Sequence, residues 1–131
     1  MGNKKRGYDW EDKIVKILIK KGWKALRLGS PSVHLPDVVA VKDEQNTIVA
    51  IEAKASRDDK IYVPLDEITR LFDFLEIFGA YKNKEAVLAI KFLKVKGKKM
   101  TEEFYRLKCV PEKGLYFARN TKVKNRCLLK W

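Results

Sequence analysis

Two carboxylates and a lysine interrupt the most apolar stretch of this 131-residue chain, and that interruption limits its fold more than any other feature. Asp37 opens the run Val38-Val39-Ala40-Val41, and Glu52 and Lys54 follow the run Ile48-Val49-Ala50-Ile51. Runs of β-branched and small apolar residues of this length read as strands buried on at least one face. The link between them, Asp43-Glu44-Gln45-Asn46, has the polarity and length of a four-residue hairpin loop. A register symmetric about that loop pairs Val41 with Ile48 and sets Asp37 opposite Glu52. Lys54 then shares their face, because side chains two apart on a strand are co-facial. Like charges opposed in this way are destabilising. A bound cation would offset the repulsion, and an all-oxygen donor set favours Mg²⁺, with Mn²⁺ as a substitute, over zinc. The alternative is structural: carboxylates that pair only with Lys54 or cap strand ends.

This acidic cluster sits in a strongly basic chain, with 29 Lys plus Arg against 17 Asp plus Glu and a formal charge of +12. A basic surface around an acidic pocket suits a polyanionic substrate, with phosphates held by the surface and one of them polarised by the metal. A metal-dependent nuclease is the class these features favour.

Apolar residues make up 46% of the chain, enough to exclude wholesale disorder. No apolar run approaches the roughly 20 residues of a membrane span, and the basic start leads into an amphipathic segment rather than a signal sequence. The expectation is an intracellular protein with no membrane contact. Cys109 and Cys127 fit no metal spacing and are too few for a disulfide framework, so both read as free thiols. His34 is the only histidine, which argues against a histidine-based nuclease or a zinc site.

Along the chain, residues 1–6 read as a basic arm in which Lys4, Lys5 and Arg6 are either solvated or in contact with phosphate. Trp10, Ile14, Ile17 and Leu18 recur at helical spacing, which predicts a helix from Asp9 to Lys21 stopped by Gly22. Glu11 lies in its first turn. There it is either a third acidic group for the metal or an ordinary partner of the helix dipole. Residues 23–29 alternate as a half-exposed strand, and Ser30 to His34 form a loop close to the acidic site. Arg57 and Lys60, after Lys54, are candidate phosphate contacts. A second helix from Pro64 to Gly79 is apolar over more than one stripe. Phe72, Phe74 and Phe78 cannot all face one core in this reading, which predicts a homodimer through residues 68–78. Ala86 to Phe92 is a buried strand and Lys94 to Lys99 a basic turn. Phe104 to Val110 is a strand, or else a short helix begins at Thr101. The basic tail, residues 120–131, carries no assignable pattern. With no repeat or linker to divide it, the chain is expected to be one nuclease domain.

The order Glu11, Asp37, Glu52-Ala53-Lys54 resembles the restriction-endonuclease-like nuclease fold. The framing narrows the resemblance: Lys4-Lys5-Arg6-Gly7 before the first helix, Lys21-Gly22-Trp23, Arg27 before a serine-containing loop, Leu35-Pro36-Asp37-Val38, Ile51-Glu52-Ala53-Lys54 and Lys60-Ile61-Tyr62-Val63. From about residue 4 to Phe92 the chain looks like an archaeal-type Holliday junction resolvase, of a cellular or viral branch. The resemblance implies an α/β fold, a central mixed β-sheet flanked by helices, and a two-fold dimer. The implied activity is Mg²⁺-dependent cutting of opposed strands of a four-way DNA junction. It gives Asp37 and Glu52 the role of metal ligands and Glu11 that of a water-mediated ligand or positioning group. Lys54 would orient the attacking water or offset charge on the phosphate. A loop serine also belongs to the family pattern. Ser30 is the candidate here, with Ser32 and Arg27 as substrate contacts, and Pro31 occupies the expected position itself. The C-terminal third departs from the pattern. Competing readings are another nuclease of the same fold, such as a nickase or a flap or duplex endonuclease, and a non-catalytic nucleic-acid-binding module.

Overall fold

A computed structural model describes residues 2–28 and 35–119, with residues 2–7 described as helical backbone only. Ser30, Ser32, His34, Cys127 and the basic tail lie outside the described residues. Helix α1 (Gly2–Lys20) leads into strands β1 (Lys24–Arg27), β2 (Val38–Lys42) and β3 (Thr47–Ser56). Strand β4 (Lys60–Val63), helix α2 (Leu65–Glu76) and strands β5 (Asn83–Phe92), β6 (Thr101–Leu107) and β7 (Leu115–Ala118) follow. The main sheet has the order β1-β2-β3-β5-β6, while β4 pairs with β7 in a separate ribbon. Among the described strands of this sheet only β3 and β5 run parallel; the other pairs are antiparallel, giving the expected mixed sheet.

The hairpin forms with the anticipated register, Val41 opposite Ile48 and Val38 opposite Ile51. Its loop closes through Asn46, which adopts a left-handed φ of 51° and donates its N–H to the Asp43 carbonyl at 2.9 Å. Asparagine tolerates that conformation better than most side chains.

Alternation along the central strands divides the interior into two layers. Val49 and Ile51 of β3, Val38 and Ala40 of β2, and Val87 and Ala89 of β5 pack under α1 with Trp10, Ile14 and Leu18. Ile48 and Ala50 of β3 and Ala86, Leu88 and Ile90 of β5 pack under α2 with Ile68, Leu71 and Leu75. Full burial of a side chain of this size contributes roughly 1.5–3 kcal/mol. Trp10 also donates its indole N–H to the Ala89 carbonyl at 3.0 Å, fixing α1 over the sheet.

The structure corrects three expectations. The basic run at residues 3–6 is not a separate arm, because α1 begins at Gly2 rather than Asp9; nothing in Asn3 to Arg6 breaks a helix, and Gly7 only weakens one. Residues 101–107 form strand β6 on the edge of the sheet, so the helical alternative from Thr101 falls. Helix α2 ends at Glu76, short of Gly79, and Phe72, Phe74 and Phe78 all pack in part against one core cluster. The argument that these rings need a second core therefore does not hold, although Ile77 beside them is 75% exposed.

Candidate active site

The α2-facing stripe of β3 reads Ile48, Ala50, Glu52, Lys54, so its apolar pattern turns charged halfway along the strand. Asp37 is co-facial with Val39 and Val41 of β2, which pack on the same layer. Just outside the Val38–Ile51 pair, the Asp37 N–H donates to the Ile51 carbonyl at 3.0 Å. Its carboxylate accepts the Ala53 N–H at 2.8 Å, replacing a ladder bond with a side-chain bond at the strand end. Pro36, immediately before it, has no donor to place there.

This geometry brings Asp37 and Glu52 into hydrogen-bonding contact, and burial raises both carboxyls above their usual range. For Asp37 the Ala53 N–H, Glu52 and Lys54 work against that rise. Glu52 is 7% exposed, and burial followed by the charge of Asp37 pushes it up to about 9. The Lys54 ammonium lies 3.8 Å from Glu52 and bonds to Glu67 in the first turn of α2. Burial opposes its charge, but Glu67, Glu52 and Asp37 outweigh that and hold it above the ordinary lysine value.

Glu11 approaches from α1. Burial raises its carboxyl, and the nearby charge of Asp37 raises it further. Arg27 sits 3.4 Å from Glu11 and 3.0 Å from Asp12, with its guanidinium over the Tyr8 ring. The structure thus engages Arg27 with acidic partners at the rim of the site. Arg57 is exposed on the connection after β3, and Lys60 is exposed at the start of β4. For Lys4, Lys5 and Arg6 only the helical backbone is described.

Sequence reasoning missed Glu67, which reads as an ordinary acidic residue in a helix first turn. Among the described residues no three acidic, histidine or cysteine side chains close around a single point. The donors present are nonetheless carboxylates of the kind Mg²⁺ and Mn²⁺ prefer, and the raised Asp37 and Glu52 carboxyls mark where added positive charge would be favoured.

The raised Glu52 carboxyl has a measurable consequence. Glu52 rises from an ordinary 4.5 to about 9, so between those limits the folded chain binds a proton that the unfolded chain releases. Stability from this group is fully present below the lower value and is lost as pH rises through the upper one. The metal-free protein is expected to melt at falling temperature from about pH 5 to about pH 9. Glu52→Gln should remove most of that slope and gain about 2 kcal/mol near neutral pH, on the order of 5–10 °C in Tm. Melting curves in chelator decide this; an unchanged slope in the variant would place the proton elsewhere.

Comparison with known proteins gives the family of the chain. Residues 2–123 match the model of the family described as archaeal Holliday junction resolvase (hjc). The chain is 41% identical over 82 residues to the crossover junction endodeoxyribonuclease of Sulfolobus islandicus rod-shaped virus 1, covering 60% of this chain and 66% of the relative. It is 33% identical over 104 residues to the crossover junction endodeoxyribonuclease Hje of Sulfolobus acidocaldarius, covering 76% and 71%. The chain thus spans about two thirds of the length of these relatives. The solved structure of Archaeoglobus fulgidus Hjc, a Holliday junction resolvase from an archaeal hyperthermophile, superposes with a TM-score of 0.63 at 27% identity. That superposition covers 86% of this chain and 84% of the other, and the shared architecture is the restriction-endonuclease-like fold.

Proposed function

The chain belongs to the archaeal Holliday junction resolvase family, and from that premise we propose that it is an endonuclease that resolves four-way DNA junctions by hydrolysing paired strands in a Mg²⁺-dependent reaction. One observation carries the reading: Asp37, Glu52 and Lys54 converge on one face at the point where an otherwise apolar strand turns charged. Asp37 and Glu52 would hold the metal, and Glu11 would support it through water or by positioning. When bound, the metal would polarise the scissile phosphate and lower the pKa of a coordinated water. Lys54, kept charged by Glu67 and Glu52, can donate to that water or to a phosphate oxygen as negative charge develops. Ser30 and Ser32 are proposed as loop contacts to the substrate.

The chain is further proposed to act as a homodimer. The exposed Ile77 just past the end of α2, next to Phe74 and Phe78, is apolar surface that a second copy would cover. Paired incisions call for two such sites.

The test uses a four-way junction, a flap and a plain duplex of matched sequence, with Mg²⁺ or chelator, alongside light scattering at micromolar concentration. The expected result is metal-dependent cutting of the junction in two opposed strands, and a mass near twice the 15.2 kDa chain. Equal rates on all three substrates would replace junction specificity with a general nuclease activity. A monomeric mass would remove the dimer.

A further inference from the structure

Between β5 and β6 the chain makes a second hairpin that the site above does not use. Val95 bridges Lys98, with the Lys98 N–H donating to the Val95 carbonyl at 2.9 Å, and Gly97 turns the corner at a φ of 80°. That conformation favours glycine. Lys94, Lys96, Lys98 and Lys99 come together here with Arg57 from the connection after β3, lining an open cleft of about 610 Å³. Lys98 bonds to Asp59. Arg57, Lys94, Lys96 and Lys99 make no salt bridge with a carboxylate among the described residues.

The two chain segments that border the cleft are tied together by a buried cation. Arg119 is 2% exposed in its side chain and spends its guanidinium on both walls. It donates to the carbonyls of Arg57 at 3.0 Å and Asp58 at 3.3 Å on one side, and of Leu93 at 2.9 Å and Lys99 at 3.1 Å on the other. Its Nε donates to Asp59 at 3.0 Å, and its face lies over the Phe92 ring. Four unpaired cations are thus set on backbone whose geometry is fixed in advance, which lowers the ordering cost of binding.

The position matters as much as the charge. Ser56 pairs with Phe92, and the Leu93 N–H donates to the Ser56 carbonyl at 2.8 Å, so the hairpin is rooted two residues beyond Lys54 on the same strand. At about 3.3 Å per residue, that is roughly 7 Å along β3. A nucleic-acid backbone with its scissile phosphate at Lys54 would carry its next phosphates across the cleft.

Resting on the junction-nuclease reading, we propose that the Lys94–Lys99 hairpin and Arg57 form a phosphate seat for the DNA arm leaving the cut site. Asp58 and Asp59 are the carboxylates nearby, and Asp59 is neutralised by Lys98 and Arg119.

The test is a triple variant, Lys94→Ala with Lys96→Ala and Lys99→Ala. Its control changes Lys20, Lys82 and Lys84 to Ala, all exposed at the opposite end of the sheet. The probe is a four-way DNA junction titrated by gel shift across a salt series in metal-free buffer, with a plain duplex beside it. The hairpin variant should lose roughly ten- to a hundred-fold in affinity, and its log K against log salt slope should fall by about 2–3, the control changing little. Wild-type affinity and slope in the hairpin variant would overturn the seat while leaving junction cleavage standing. A loss equal to that of the control would also overturn it, by reducing the effect to net charge. If the wild-type chain cuts no junction yet the hairpin variant still loses its slope on duplex, the seat stands and the junction reading fails.

Discussion

Asp37→Ala should lose Mg²⁺-dependent junction cleavage by about 10²- to 10³-fold or more, while its junction affinity in chelator stays the same or rises slightly. The two expectations diverge because a carboxylate repels phosphate until a cation intervenes, so removing it takes nothing attractive from binding. The alanine variant carries a side effect, since the Ala53 N–H loses its acceptor and the end of β3 can shift. Asp37→Asn separates the causes: its amide oxygen can still accept that N–H, while the negative charge is gone. It should fold at least as well as wild type, because a buried charge next to Glu52 is removed, and it should still fail to cut. Gel shift and cleavage on the same preparations decide the matter. An asparagine variant that cuts at near-normal rates would remove Asp37 from the catalytic group.

Arg119→Ala should produce the largest loss of stability, about 3–5 kcal/mol, or roughly 10–20 °C in Tm. One truncation leaves four backbone carbonyls and the Asp59 carboxylate without their shared donor and empties the space over Phe92. Arg119→Lys should recover little of it, since an ammonium offers three donors and no planar fork. Denaturant titration of both variants checks this; a lysine variant as stable as wild type would mean that charge alone, not the fork, holds these segments.

The sequence shows the hairpin and its acidic pair because both rest on period-two patterning and loop length, which are local. Val41 finds Ile48 across four residues, and the positions of Asp37 and Glu52 follow from that pairing. Glu67 and Arg119 are illegible for the opposite reason. Glu67 meets Lys54 only once the chain has turned through β4 into α2, and Arg119 meets the Leu93 and Lys99 carbonyls only after β6 and β7 have been laid down. Neither has a periodic signature, and a single arginine before a basic tail reads as one more solvated cation. The start of α1 is hidden in the sequence because the charge of Lys4, Lys5 and Arg6 suggests a solvated arm, although their helix propensity does not oppose helix. The phenylalanines of α2 mislead because residues spread around a helix suggest two partners, whereas a short helix lying across a sheet can touch one core with most of its circumference.

The parallel pairing of β3 with β5 also bears on how this chain reaches its native state. Each β3 residue meets a partner thirty-six positions away, as Thr47 meets Asn83, whereas β2 and β3 close across a four-residue loop. Loop-closure entropy favours the local hairpin early and the distant pairing late. Asp37 and Glu52 would then come together in solvent, in a half-formed sheet, before α2 and β5 arrive to bury them. The repulsion between them is therefore met chiefly in the last step of assembly. An ion captured by the early hairpin would act on the rate of that step as well as on the stability of its product.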